Sequence, residues 1–223
     1  MEDKSVKLIE NFQSYQGEGP DMGQAMIILR FKTCNLKCSW CDTSVKMRIS
    51  AESPHQLSDI QQVINETRSG LLITGGEPTV PRHIDDTVLL LNLLNYPVAN
   101  VESNGYNLEE LINQVAGSKN VHFMFSPKIF TEEDYDWAVE KAEKLLYFKS
   151  VYMKIVYEDR PLIKDYCKWL SGQLSLEDSQ RVWLMPEGTT RVDLIRNSGE
   201  VFDACEKYRF NFSSRSHIIY GFV

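Results

Sequence analysis

Apolar residues in this chain come in short runs rich in β-branched and aromatic side chains, and between several runs they recur at helical spacing. Runs of the first kind predict strands at Val6 to Phe12, Met26 to Phe31, Leu71 to Thr74, Val98 to Glu102, Val121 to Ser126, Val151 to Tyr157, Arg181 to Met185 and Phe210 to Ser213. Tyr135, Ala138, Val139, Ala142, Leu145 and Leu146 fall on one helical face behind a Thr131-x-x-Asp134 capping pattern. Leu108, Leu111, Ile112 and Val115 do the same behind Asn107. Strands alternating with helices at this spacing predict an α/β fold of βα units around a mainly parallel sheet, open or curved toward a barrel. No internal repeat, low-complexity stretch or long linker divides the chain, so a single domain over residues 1–223 is expected.

Residues with chemistry in them gather just past the predicted strands. Cys34 follows the second strand, Gly75-Gly76-Glu77-Pro78 the third, Ser103-Asn104-Gly105 the fourth, Pro127-Lys128 the fifth and Pro186-Glu187-Gly188 the seventh. In βα architectures the C-terminal strand ends form the face where ligands bind, so these five loops are expected to build one composite site. Gly, Pro and Asn also make ordinary turns; Glu or Lys beside the turn residues is what points beyond that reading.

Composition narrows the function. With 43% apolar and 25% charged residues the chain has the profile of a soluble globular protein. Its 24 Lys plus Arg against 31 Asp plus Glu leave a net charge of −7, the opposite of a phosphate-binding surface, so no nucleic acid partner is expected. No run approaches the roughly 18 apolar residues of a membrane span, and Met1-Glu2-Asp3-Lys4 lacks the apolar stretch of a secretory signal. The expected setting is cytoplasmic, with no membrane partner.

Of five cysteines, Cys34, Cys38 and Cys41 crowd into eight residues, a distribution suited to a metal or cluster rather than to a disulfide framework. Their spacing is C-x3-C-x2-C. A structural zinc needs four protein ligands, and no His or Cys near the triplet supplies a natural fourth. A [4Fe-4S] cube held by three thiolates leaves one iron open to bind something else. The spacing also admits a zinc completed by the distant Cys167, Cys205 or His217, or three unrelated buried thiols.

The triplet, with Trp40 before its last cysteine and Gly75-Gly76-Glu77-Pro78 further on, resembles the signature of the radical S-adenosylmethionine (SAM) superfamily. Within it the chain is similar, nearly end to end, to the 7-carboxy-7-deazaguanine synthase family. The resemblance rests on Gln16-Gly17-Glu18-Gly19, Arg30-Phe31, Cys41-Asp42-Thr43, Thr74-Gly75-Gly76-Glu77-Pro78, Glu102-Ser103-Asn104-Gly105, Ser126-Pro127-Lys128, Lys154 and Leu184-Met185-Pro186-Glu187-Gly188. It implies a partial (βα)6-type barrel with a short added N-terminal strand. It also implies conversion of 6-carboxy-5,6,7,8-tetrahydropterin to 7-carboxy-7-deazaguanine with loss of ammonia.

By the same resemblance, Cys34, Cys38 and Cys41 hold a [4Fe-4S] cluster whose open iron chelates SAM. Trp40, Asp42, Gly76, Glu77, Glu102 and Asn104 line the SAM site, together with Ser126, Pro127, Lys128, Met185, Pro186 and Glu187. Gly76 lets backbone approach the methionine part of SAM, and Glu77 is placed to accept from its ammonium group. Lys128 is either a donor to SAM or a solvated lysine. Tyr15, Gln16, Gly17 and Thr74 are the expected ring-edge contacts of the pterin, and Arg30 the partner of its carboxylate unless it pairs with a structural acid. Glu18 is expected at the guanidine-like edge of the pterin, or as a cap or solvent-facing residue. His217 is a contact from the C-terminal segment or a packed histidine, and Thr43 a magnesium ligand or the start of a turn. No catalytic side chain is assigned beyond cluster and SAM. The implied partners are an external flavodoxin or ferredoxin and a second copy of the chain. Cys167 and Cys205 lie in helical patterns as small buried hydrophobes, and His55, His83 and His122 are given no role. A glycyl-radical activase and a noncatalytic iron–sulfur or zinc protein are the competing functions.

Overall fold

The computed structural model describes residues 4–38, 41, 43, 49–115, 117 and 120–222. Its backbone divides into two compact units, Met1–Gln16 with Gly23–Met124, and Gly17–Met22 with Phe125–Val223.

In the first unit the strands are β1 (Ser5–Leu8), β2 (Glu10–Tyr15), β3 (Ala25–Phe31), β4 (Ser53–Gln56), β5 (Gly70–Gly75), β6 (Ala99–Ser103) and β7 (Val121–Phe125, whose last residue belongs to the second unit). Its helices are α1 (Leu57–Thr67), α2 (Ile84–Leu93) and α3 (Leu108–Gln114). The sheet order is β7-β6-β5-β3-β2, with β3, β5 and β6 parallel and β2 antiparallel to β3. Both faces of β3 are covered: Met26, Ile27, Ile28 and Leu29 are all buried, as expected for a central parallel strand flanked by helices. Met26, Ile28 and Leu72 form a small cluster with Phe12 and Val98 on it, while Leu57, Ile60 and Ile64 supply the buried stripe of α1.

The second unit holds β8 (Val151–Tyr157), β9 (Val182–Pro186) and β10 (Asn211–Phe212), all parallel in the order β10-β9-β8, with α4 (Glu132–Leu145), α5 (Pro161–Gln173), α6 (Leu176–Ser179), α7 (Arg191–Tyr208) and α8 (Ser216–Tyr220). The Thr131 capping pattern is realised as a reciprocal box: the Thr131 side chain accepts from the Asp134 N–H at 3.2 Å and the Asp134 carboxylate accepts from the Thr131 N–H at 2.9 Å. Ala138, Ala142 and Leu145 of α4 are buried, as are Ile163, Tyr166 and Cys167 of α5, and the Tyr166 hydroxyl donates to the Ala138 carbonyl at 3.2 Å. Cys167 and Cys205 are buried on α5 and α7, as their helical patterns predict.

Two expectations need correction. The run Val6 to Phe12 is not one strand: β1 pairs antiparallel with β4 in a separate two-stranded sheet, and only from Glu10 does the chain pair with β3. Val6, Leu8 and Phe12 share one parity, so the period-2 pattern runs through the switch at Ile9 without a sign of it. The partner strand β4, Ser53-Pro54-His55-Gln56, was not anticipated, because it has no apolar position and carries a proline that only an edge tolerates.

Candidate active site

In the first unit the chain leaving β3 and the turn leaving β5 are joined backbone to backbone. The Gly76 N–H donates to the Phe31 carbonyl and the Glu77 N–H to the Thr33 carbonyl, both at 2.8 Å. Only glycine fits at position 76, since a Cβ there would stand 2.1 Å from the Thr33 oxygen. The residue after Thr33 is Cys34, so the join fixes the first cysteine beside the Gly-Gly-Glu turn.

Glu77 fastens a third loop to these two. Its carboxylate is buried, 1% exposed, and accepts from the Thr79 N–H at 3.2 Å, the Thr79 hydroxyl at 2.6 Å, the Ser103 hydroxyl at 2.7 Å and the Asn104 N–H at 2.6 Å. Burial raises its carboxyl above the ordinary value although these donors pull it back. The side chain expected to meet the SAM ammonium is thus engaged with its own protein, tying the end of β6 to the turn after β5. The Asn104 side-chain amide in turn donates to Asn35 Oδ1 at 2.9 Å and approaches Cys34 Sγ at 3.9 Å.

By donor chemistry the three cysteines supply the soft thiolate set that an iron–sulfur cluster takes. All three are free thiols, Cys34 and Cys41 exposed and Cys38 half-buried. Cys34 Sγ already accepts from the Leu36 N–H at 3.4 Å, the kind of N–H to sulfur bond that supports a ligated thiolate. Partial burial of its sulfur, and then the charge of Glu77, push the Cys34 thiol up, against the pull of the Leu36 N–H.

In the second unit the Gly17–Gly19 segment is bound to the C-terminal segment. The Ser216 N–H and hydroxyl both donate to the Gly17 carbonyl, at 3.0 and 3.1 Å, and the Gly19 N–H donates to Ser213 Oγ at 2.9 Å. A Cβ on Gly17 would lie 2.1 Å from His217 Nδ1. Glu18, expected at the guanidine-like edge of the pterin or as a cap or solvent-facing residue, lies in a buried ionic group: Lys154 Nζ donates to Oε2 at 2.5 Å and Arg215 Nε to Oε1 at 3.1 Å, with His217 Nε2 3.9 Å away. Burial alone would raise its carboxyl, yet Lys154, Arg215 and His217 together hold it well below the usual carboxylate range. Arg215 also donates to the Gly188 carbonyl at 2.6 Å, which joins the turn after Pro186 and Glu187 to the same group.

The remaining expected residues are placed as follows. Arg30 pairs across β2 and β3 with Glu10, Nε to Oε2 at 2.7 Å, the structural-acid alternative among the two readings of that arginine. Gln16 is buried and donates to Asn100 Oδ1 at 2.8 Å, while Tyr15 is 53% exposed. Thr74 and Glu102 are half-buried at the ends of β5 and β6, and Thr43 is buried. In the second unit Ser126, Pro127, Met185 and Pro186 are buried, and Lys128 Nζ donates to the Ser126 carbonyl and hydroxyl at 2.6 Å. Glu187 is half-buried, its carboxyl raised by burial and by Glu158 and Asp193. Trp40 and Asp42 lie outside the described residues.

Thr79 and Arg215 have no role in the sequence reading, and Ser103 and Lys154 none beyond their places in the resemblance and, for Ser103, in the loop after the fourth strand. A signal existed for Lys154, a charge within the apolar run Val151-Tyr152-Met153-Lys154-Ile155-Val156. None existed for the hydroxyls, whose meaning depends on the carboxylate they reach.

Residues 28–151 match the radical SAM superfamily model. A 7-carboxy-7-deazaguanine synthase of Thermoplasma acidophilum is 34% identical over 160 residues, covering 68% of this chain and 70% of that protein. One from Hyperthermus butylicus is 25% identical over 236 aligned positions, covering 96% and 92%. The crystal structure of QueE from Escherichia coli superposes with a TM-score of 0.62 at 21% identity, over 96% of this chain and 95% of that one, and so has the same fold. The chain belongs to the radical SAM superfamily and, within it, to the 7-carboxy-7-deazaguanine synthase family.

Proposed function

We propose that this chain converts 6-carboxy-5,6,7,8-tetrahydropterin to 7-carboxy-7-deazaguanine and ammonia. The observation that carries this reading is the join of the Cys34 segment to the Gly76-Glu77 turn, in a chain 34% identical to one of these synthases over 160 residues. Substrate and products differ by no net oxidation, since ring contraction removes one ammonia and nothing else. When bound, the cluster delivers a low-potential electron to SAM, which supplies the hydrogen-abstracting radical for C6 of the pterin.

Cys34, Cys38 and Cys41 would hold the cluster, three thiolates for four irons, and so leave it able to bind SAM. Gly76 keeps the turn free of a Cβ, and Glu77 holds the Asn104 loop in place rather than meeting solvent. Trp40, Asp42, Ser126, Pro127, Lys128 and the Met185-Pro186-Glu187 segment complete the SAM site in this reading. Tyr15, Gln16, Gly17, Thr74 and His217 bind and orient the pterin. Arg30 takes part only if it exchanges Glu10 for the substrate carboxylate. Thr43 would offer a hydroxyl oxygen to a Mg2+ ion, whose chemistry there would be that of a hard Lewis acid toward the substrate carboxylate. An external flavodoxin or ferredoxin supplies electrons, two copies associate, and the free thiols suit a reducing cytoplasm.

The test is anaerobic reconstitution with iron and sulfide, reduction with dithionite, and incubation with SAM and the pterin. Mass spectrometry is expected to find 7-carboxy-7-deazaguanine with the unaltered protein and none with Cys38→Ala. Unchanged pterin with a loaded, reduced cluster refutes the substrate assignment.

A further inference from the structure

His83 has no place in the chemistry outlined above, yet its ring is the acceptor for the last backbone donor before the cluster cysteines. The Thr33 N–H donates to His83 Nε2 at 3.0 Å. The imidazole is 2% exposed and stacks on Phe31 at 4.6 Å with planes 21° apart, which fixes its tilt. Its backbone is held as well: the His83 N–H donates to the Val80 carbonyl at 2.8 Å, and the His83 carbonyl accepts from the Thr87 N–H and hydroxyl at 2.9 and 3.0 Å. Such a ring cannot turn away without loss of packing.

The partner of this bond, Thr33, is the residue just before the first cluster cysteine, and both of its backbone groups are held. The Thr33 carbonyl is taken by the Glu77 N–H, and the Phe31 carbonyl by the Gly76 N–H. The Thr33 N–H, on the preceding Lys32 to Thr33 peptide, points to the ring. The two peptides that flank Thr33 are therefore gripped from two elements, Thr33 to Cys34 by the turn after β5 and Lys32 to Thr33 by the start of α2. A nitrogen that accepts here carries no proton, so the remaining proton sits on Nδ1.

We infer that His83 is a positioning residue for the cluster, fixing the Lys32 to Thr33 peptide, next to the Thr33 carbonyl that the Gly76-Glu77 turn holds, and thereby the placement of the first thiolate relative to SAM. It touches neither group. The inference rests on the radical SAM reading of the triplet but not on the pterin as substrate.

Two substitutions separate the bond from the packing. His83→Phe keeps the stack on Phe31 and removes the acceptor; His83→Gln restores an acceptor near the same point and removes the ring. In the protein without cluster, exchange of the Thr33 amide followed by NMR is expected to speed up about tenfold in His83→Phe and to stay near the unaltered rate in His83→Gln. After reconstitution, the concentration of SAM that half-perturbs the electron paramagnetic resonance signal of the reduced cluster is expected to rise about tenfold in His83→Phe only. Equal impairment in both variants, or unaltered exchange and SAM response in His83→Phe, overturns the proposal. Should His83→Phe fail to fold by circular dichroism, His83→Gln decides: retained Thr33 protection and SAM response support it, and loss of either overturns it. Neither readout uses the pterin, so a failed pterin assay in the unaltered protein refutes the substrate and leaves this inference standing.

Discussion

Replacing Lys154 by Met leaves the Glu18 carboxylate buried with one of its two close cations gone. The Lys154 and Glu18 side chains are 4% and 12% exposed and 2.5 Å apart. At an effective dielectric constant near 20 the direct attraction is about 6 to 7 kcal/mol, most of it offset by the cost of taking both charges out of water. Removing one partner of a buried pair typically costs about 3 to 5 kcal/mol, because the other charge stays behind. Arg215 remains 3.1 Å from the carboxylate, which places Lys154→Met near about 3 kcal/mol, within a typical total stability of about 5 to 15. Urea unfolding is well suited to the measurement, since Trp137, Trp169 and Trp183 all lie in the same unit as the pair and report on it by fluorescence. The midpoint is expected to fall by about 1 to 2 M. Glu18→Gln combined with Lys154→Met is expected to cost less than the sum of the two singles, by about 1 to 3 kcal/mol. A Lys154→Met midpoint within about 0.2 M of the unaltered protein, or strictly additive singles, refutes the reasoning.

Other expectations follow from the same contacts. Because the folded Glu18 carboxyl is held below its unfolded value of 4.5, its contribution is complete above that pH and is lost as pH falls further; Glu18→Gln should flatten the acid side of the stability profile. Gly76→Ala puts a methyl 2.1 Å from the Thr33 oxygen and should abolish iron retention after reconstitution, read by iron analysis, with retained iron counting against the join described above. Glu77→Ala leaves the Ser103 hydroxyl and the Asn104 N–H without their acceptor and should lower stability by about 2 to 4 kcal/mol in denaturant titration. Cys167→Ala, in the core of α5, should leave iron content unchanged where Cys38→Ala lowers it.

The sequence made the strands legible where apolar runs are long and buried on both faces, as at β3 and β8, and the helix behind Thr131 where a capping pattern adds to periodicity. It hid β4, which is polar throughout, and the change of sheet at Ile9, which preserves parity. The cysteines and the Gly-Gly-Glu turn were legible as chemistry because few folds need them in that order. What was not legible is who occupies whom. Glu77 reads as a ligand-facing carboxylate and Glu18 as a pterin contact, a cap or a solvent-facing residue; the first is held by Thr79, Ser103 and Asn104 and the second by Lys154 and Arg215, partners 136 and 197 residues from Glu18 in the latter case. His83 read as a histidine without a task, because an acceptor for a backbone N–H leaves no pattern in sequence.

The most direct test of the central claim is the ratio of pterin converted to SAM consumed by the reconstituted, reduced protein. A rearrangement without net oxidation, in which the abstracted hydrogen returns and SAM is regenerated, predicts many molecules of 7-carboxy-7-deazaguanine for each SAM lost. Accumulation of 5′-deoxyadenosine with the pterin unchanged, or one SAM destroyed for every product formed, contradicts it.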